Sequence, residues 1–195
     1  HGRTRSDFIY LFIGGAVGVG VVLGGDCLRG GRGNAGDFAM MPVPASALPS
    51  APQPERSFDV LLTRTSLAGL RRHLRWHGHV VETLAEIGDL FRREPRPAAF
   101  DEWIDDAVAA FVPAILSTAA TLDVDQVVLE GDLDCGLVEI IVERLAKALE
   151  AATPESVPVA QVIEGSFRAR AGALGAATLP LFFNFSPRSS ILTGA

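Results

Sequence analysis

Chemistry-bearing residues are concentrated in a few places along this sequence. His73 and His77 stand four residues apart, with His79 close behind. On a helix that spacing stacks two imidazoles on one face, where they can hold a metal ion. Arg71, Arg72 and Arg75 are interleaved with them; their positive charge works against a cation, and the segment reads first as a solvated helix face. Asp37 closes a Gly-Asn-Ala-Gly-Asp stretch at residues 33–37. The two glycines let the backbone turn sharply toward a ligand, and a carboxylate accepts two hydroxyl hydrogens at once. The same residue also reads as a loop aspartate that caps a turn. Asp59, ahead of an apolar run, reads first as the N-cap of a helix. Gly14, Gly18 and Gly20 permit close backbone approach but read first as glycines in packed strands. Cys27 and Cys135 are the only cysteines; they imply no disulfide framework and read as packed small hydrophobes.

Composition bounds what these residues can serve. A length of 195 residues fits one large domain or one lobe of a larger protein. Hydrophobic residues make up 48% and charged residues 21%, enough to sustain a core and unlike a disordered chain. The net charge of −6 argues against this segment gripping a nucleic-acid backbone, since phosphate contacts need clustered Lys and Arg. Few thiols and no bridges suit a reducing cytoplasm. The run from Phe8 to Gly25 is apolar and follows Arg3 and Arg5, as in a signal peptide or membrane span. Its glycines at 14, 15, 18, 20, 24 and 25 make a poor spanning helix, so two buried strands are the better reading and no membrane partner is expected.

The elements that position these residues follow from periodicity. Phe8–Ile13 and Val17–Leu23 are expected as strands joined at Gly14-Gly15, with a Gly- and Arg-rich loop from Gly24 to Gly36. Pro42–Arg56 holds five prolines and is expected as an extended or mobile loop. Helices are expected over Phe58–Trp76 and Val80–Arg93. A third, Asp101–Leu122, carries Ile104, Val108, Phe111, Ile115 and Ala119 on one face and is expected to kink at Pro113. Gln126–Leu129 is expected as a strand, followed by a helix marked by Leu137, Ile141, Leu145 and Ala148. A strand at Val157–Ile163 and a helix at Ala169–Phe183 complete an α/β domain.

Ile9–Val43 resembles the central signature of the ROK family (repressor, open reading frame, sugar kinase): a glycine-rich strand pair, a G-x-x-G-x-x-G-E loop and then a Gly-His pair. The stretches DVDQVVLEGDLD and ARAGALGAATLPLF, in that order and spacing, are similar to two later landmarks of the family. The resemblance covers nearly the whole chain. It implies an actin-like (ribonuclease-H-like) ATPase fold of which this chain is the C-terminal lobe. The family's first lobe carries an Asp-Gly-Gly-Thr phosphate loop and the Asp that serves as base; both would lie before His1, so a fragment or truncated protein without that lobe is expected.

The resemblance also assigns roles. Asp37 takes the place of the loop Glu that binds sugar hydroxyls, with Asn34 beside it, and Asp59 matches a second sugar-contacting Glu. Gly14, Gly18 and Gly20 are the remnant of a phosphate-contacting turn that lacks its Thr here. Gly131 belongs to the same remnant, where Glu130 replaces the first of two glycines, and a carboxylate there repels phosphate. Met40 replaces a His that binds sugar and zinc, and no cysteine lies between Pro42 and Asp59, so no zinc or other metal is expected in the chain and the Pro-rich loop 42–56 stands in place of the family's zinc motif; no cofactor is expected unless the kinase alternative, with ATP and magnesium, holds. The function implied is the sugar-sensing and dimerisation part of a ROK-type transcriptional regulator, a homodimer that binds a sugar weakly and meets DNA only through a segment N-terminal to this chain. The alternatives are the C-terminal half of an ATP- and magnesium-dependent sugar kinase, and a dimerisation scaffold that binds no sugar.

Overall fold

The computed structural model describes residues 6–167 together with 171, 173–175 and 177. Strands β1 (Phe8–Ile13) and β2 (Val17–Leu23) form an antiparallel hairpin, as their apolar runs predict. A two-residue strand β3 (Asp26–Cys27) extends the edge. After a 3₁₀ turn at Phe38–Met40, strands β4 (Pro42–Val43) and β5 (Asp59–Val60) pair with each other at the two ends of the Pro-rich loop. Helices α1 (Leu61–Thr65), α2 (Leu67–Trp76), α3 (Leu84–Phe91) and α4 (Ala99–Leu122) follow. Then come β6 (Gln126–Gly131), α5 (Cys135–Ala152) and β7 (Gln161–Glu164). The main sheet has the order β3-β2-β1-β6-β7, with β1, β6 and β7 parallel. The strand–helix–strand run β6-α5-β7 is what makes the domain α/β.

Several boundaries depart from expectation. The single helix expected over Phe58–Trp76 is a short strand and two helices. The break is at Ser66, whose hydroxyl accepts from the Gly69 N–H at 3.2 Å and starts α2. Serine competes with the helical ladder in this way. A Cβ on Gly69 would stand 2.9 Å from the Thr63 carbonyl oxygen, so the tight α1–α2 corner requires glycine. Helix α3 starts at Leu84 rather than Val80, because Thr83 and Glu86 form a reciprocal capping box. Helix α4 starts two residues early and runs continuously past Pro113. Strand β6 extends to Gly131, and β7 starts at Gln161, leaving 157–160 outside it. The helix expected at Ala169–Phe183 lies largely outside the described residues.

Helix α4 is the axis of the core. Phe100, Trp103, Ile104, Phe111 and Ile115 are fully buried among α1, α2 and α5. By length and composition it is apolar enough to cross a membrane, but its apolarity is that of a central core helix. Two charged side chains are buried with it. Arg64 of α1 and Asp106 of α4 lie 2.7 Å apart, at 5% and 6% side-chain exposure. Arg64 also donates from Nε to Asp106, from Nη2 to the Asp106 carbonyl, and from Nη1 to the Pro44 carbonyl. Ser46 Oγ donates to Asp106 Oδ1. The Pro-rich loop, expected as extended or mobile, is thus pinned to the helices over 44–50, with Ser50 Oγ also bonding His73 Nδ1 at 2.8 Å. Cys27 and Cys135, expected to be packed, are both exposed: one lies in the edge strand and the other in the first turn of α5.

Removing one partner strands a buried charge, which costs about 3–5 kcal/mol. Arg64→Ala is therefore expected to lower unfolding free energy in urea by that amount. Lys147→Ala, which breaks an exposed pair with Glu143, is expected to leave the urea midpoint unchanged within measurement error.

Candidate functional site

The carboxyl ends of the parallel strands are where an α/β sheet offers a ligand crevice. Here β1, β6 and β7 end together, next to the first turn of α5, around a cavity of ≈ 210 Å³ lined by Glu130, Gly131, Leu133, Cys135, Glu164 and Gly165. Gly131 lies at this end, paired with Ile13 next to Gly14. Its glycine is demanded by the sheet itself, since a Cβ there would stand 2.6 Å from the Ile13 carbonyl oxygen. Gly18 and Gly20 differ. Among the described residues a Cβ on either meets nothing within 4 Å, so their reading as glycines in packed strands is corrected: no described side chain fills the space above them. At Gly14 a Cβ would press on the Phe12 ring at 3.2 Å.

Glu130 sets the electrostatics of the cavity. Its side chain is buried at 1% exposure. The Tyr10 hydroxyl donates to Oε2 and the Phe167 N–H donates to Oε1. Gly165 makes room for it, because any Cβ at 165 would collide with the Glu130 side chain. Burial first, and then the hydrogen bond and negative charge of Glu130, push the Tyr10 phenol well above its ordinary value of 10.0. The end of the sheet that would face phosphate therefore carries a seated carboxylate.

Asp37 lies elsewhere, in a groove of ≈ 280 Å³ between the 3₁₀ turn and the last turns of α4. It precedes that turn without capping it; its Oδ2 accepts from Asn34 Nδ2 at 3.0 Å, and it is exposed. Gly36, at φ +84°, places it there, with the Val19 carbonyl oxygen 3.1 Å from where a Cβ would stand. Ser117, Thr118 and Thr121 of α4 line the opposite wall, a contribution recognisable in the sequence only as hydroxyls at helical spacing within an apolar segment. Met40 is exposed beside the turn. Asp59 does not line this groove. Nor is it an N-cap: Val60 holds that position, and Asp59 is buried in β5 with Oδ1 accepting from the Val60 N–H and Oδ2 without a partner among the described residues. Asn34 and Asp37 are thus brought together, and Asp59 stands apart from both.

The histidine pair also departs from its reading as a solvated face. His73 is fully buried on α2 and His77 caps the helix. Both Nε2 atoms lie 3.1 Å from Glu102 Oε2 of α4. The interleaved arginines turn away, Arg71 and Arg75 to Glu82 and Arg72 to the Thr63 carbonyl.

A mixed sheet ending in a strand–helix–strand unit, with a glycine-rich hairpin beside its carboxyl-end crevice, is the layout of the actin-like ATPase fold. The family model described as the ROK family matches residues 1–181, and the chain belongs to that family. Among solved structures it is similar to the ROK hexokinase from Thermus thermophilus, at 26% identity and TM-score 0.62 over 89% of this chain and 56% of that one. It is similar in fold to a ROK family glucokinase from Streptomyces griseus, solved with glucose and AMPPNP, at 19% identity and TM-score 0.69 over 92% and 62%. A ROK family transcriptional regulator, homologue of the E. coli MLC protein, matches at 18% identity and TM-score 0.57 over 83% of this chain and 42% of that one. The chain thus spans well under two thirds of the length of these relatives. Among curated proteins, no sequence matches.

Tyr10 is the single tyrosine of the chain, so tyrosinate absorbance reports on it alone. Its titration midpoint is expected above 10.0, and Glu130→Gln is expected to bring it down by removing the neighbouring charge. An unchanged midpoint in that variant would show that the two side chains do not interact in solution.

Proposed function

We propose that this chain is the C-terminal, sugar-sensing and dimerising lobe of a ROK-type transcriptional regulator whose kinase activity is lost. The observation that carries this reading is the buried Glu130 carboxylate, held by Tyr10 and Phe167 at the carboxyl ends of the parallel strands. Phosphoryl transfer relies on donors and cations around the phosphates, and a seated carboxylate opposes both binding and charge development there. The Asp37 groove is separate from that end and open to solvent, so an acceptor for sugar hydroxyls survives where phosphate recognition does not. With a net charge of −6, the lobe leaves DNA contact to another segment of such a regulator, which works in the cytoplasm.

A second reading is the C-terminal half of an ATP-dependent sugar kinase. It is favoured by the 26% identity to the Thermus thermophilus hexokinase and by the space above Gly18 and Gly20 that no described side chain fills. ATP consumption by the longest available form of the protein decides between them, since this lobe by itself is expected to turn over no ATP under either reading. No sugar-dependent turnover is expected across a panel of hexoses and N-acetylhexosamines, and turnover above background overturns the regulator reading.

Sugar recognition is tested separately. A hydrogen bond to a charged group contributes about 1.5–3 kcal/mol, so Asp37→Asn is expected to weaken sugar binding roughly tenfold or more, whereas Asp59→Asn, away from the groove, is expected to matter less. Calorimetric titration measures both. Tight binding left unchanged by Asp37→Asn removes Asp37 from the site.

A further inference from the structure

Outside the groove and the sheet-end cavity, one cluster of side chains has the composition of a metal site. His73 and His77 project from successive turns of α2, and Glu102 reaches them from the first turn of α4. Their ligand atoms, two imidazole nitrogens and a carboxylate oxygen, lie within 4.8 Å of one another. Each Nε2 stands 3.1 Å from the same Glu102 Oε2. A tetrahedral zinc with ligands at about 2.0–2.2 Å holds its donors roughly 3.3 Å apart, so the two histidine–glutamate separations already match, while the donor set, now within 4.8 Å, must draw together to close on an ion.

The surroundings support the same chemistry. His73 is fully buried, and its far nitrogen is fixed by Ser50 Oγ at 2.8 Å. Metal-binding histidines are oriented in this way by a partner on the other ring nitrogen. The C-terminal end of α2, where His77 sits, is the negative end of the helix dipole and favours positive charge. Arg71, Arg72 and Arg75, the cations on the same helix, are engaged elsewhere, as described above. Asp106, also near His73, adds negative charge, partly balanced by Arg64. His77 and Glu102 are partly open to solvent, which leaves a fourth position for water.

We propose that His73, His77 and Glu102 form a site for a divalent transition ion of the zinc type, one that ties α2 to α4 and, through Ser50, to the Pro-rich loop. Two imidazoles and one carboxylate select zinc, cobalt or nickel over magnesium and calcium, which prefer all-oxygen shells. The ion is structural in this arrangement: it adds a cross-link between two helices already packed through the core, and binding it to the folded chain stabilises the fold by mass action.

The test is titration of the full chain, stripped with a chelator, with zinc chloride or cobalt chloride alone. One equivalent is expected to bind. Cobalt should give the intense visible bands of a four-coordinate site, which zinc then bleaches, and either ion should raise Tm. Glu102→Gln and His77→Ala are each expected to lower affinity at least tenfold, and Ser50→Ala about tenfold through loss of ring orientation. His79→Ala and the double variant Cys27→Ser, Cys135→Ser are expected to leave affinity unchanged. Circular dichroism checks that each variant is folded; Glu102→Gln, which keeps the shape of the side chain, decides if His77→Ala unfolds. Absence of stoichiometric binding at micromolar metal overturns the proposal, as does affinity that depends on the cysteines or is indifferent to Glu102→Gln.

Discussion

The arrangement of helices and loop depends on one buried ion pair. Arg64 and Asp106 are both out of solvent, and two such charges are tolerated only when their geometry satisfies them fully. Meeting that requirement draws in the Pro44 carbonyl and the Ser46 hydroxyl, so the pair dictates the path of a loop with little apolar surface of its own. It also fixes how α1 crosses α4, and α4 carries most of the aromatic core. The pair contributes uniqueness more than net stability: apolar residues of similar volume fill such a space as well, but they would not specify where Pro44 and Ser46 lie.

The two candidate ligand regions are built on opposite electrostatic principles. At the sheet end a carboxylate is enclosed, hydrogen-bonded and packed against a glycine. In the groove a carboxylate is exposed and bonded only to a neighbouring amide among the described residues. The first is part of the fold and the second is available to an incoming ligand.

What the sequence made legible was whatever depends on local pattern. The hairpin β1–β2, helices α4 and α5 and the α/β class follow from apolar periodicity, and the family resemblance follows from the order of glycine-rich landmarks. The break at Ser66 was hidden, because a serine that caps one helix looks like a tolerated residue inside a longer one. The repulsive character of Glu130 was visible, but not its partner Tyr10, 120 residues earlier. The helical spacing of His73 and His77 was visible too. Their burial and the approach of Glu102 were not, since both are created by the packing of α2 on α4. Cys27 and Cys135 were misplaced for a similar reason: edge strands and first helical turns expose residues that composition alone would bury. Asp59, assigned to a cap on local grounds, is buried in a strand that forms only because the loop returns to pair with Pro42 and Val43.

The glycines of the sheet end divide into two kinds with different evolutionary freedom. At 131 the neighbouring strand leaves no space for a Cβ, so any descendant that keeps the fold keeps the glycine, with or without a ligand. At 15, 18 and 20 nothing among the described residues opposes a Cβ, so a side chain is accommodated there without displacing a neighbour. Gly131 is therefore silent about ligand binding, while Gly15, Gly18 and Gly20 are positions that the described fold leaves free to vary. Gly15, in the turn between β1 and β2, stands where the family resemblance places a threonine, and a side chain there meets nothing among the described residues.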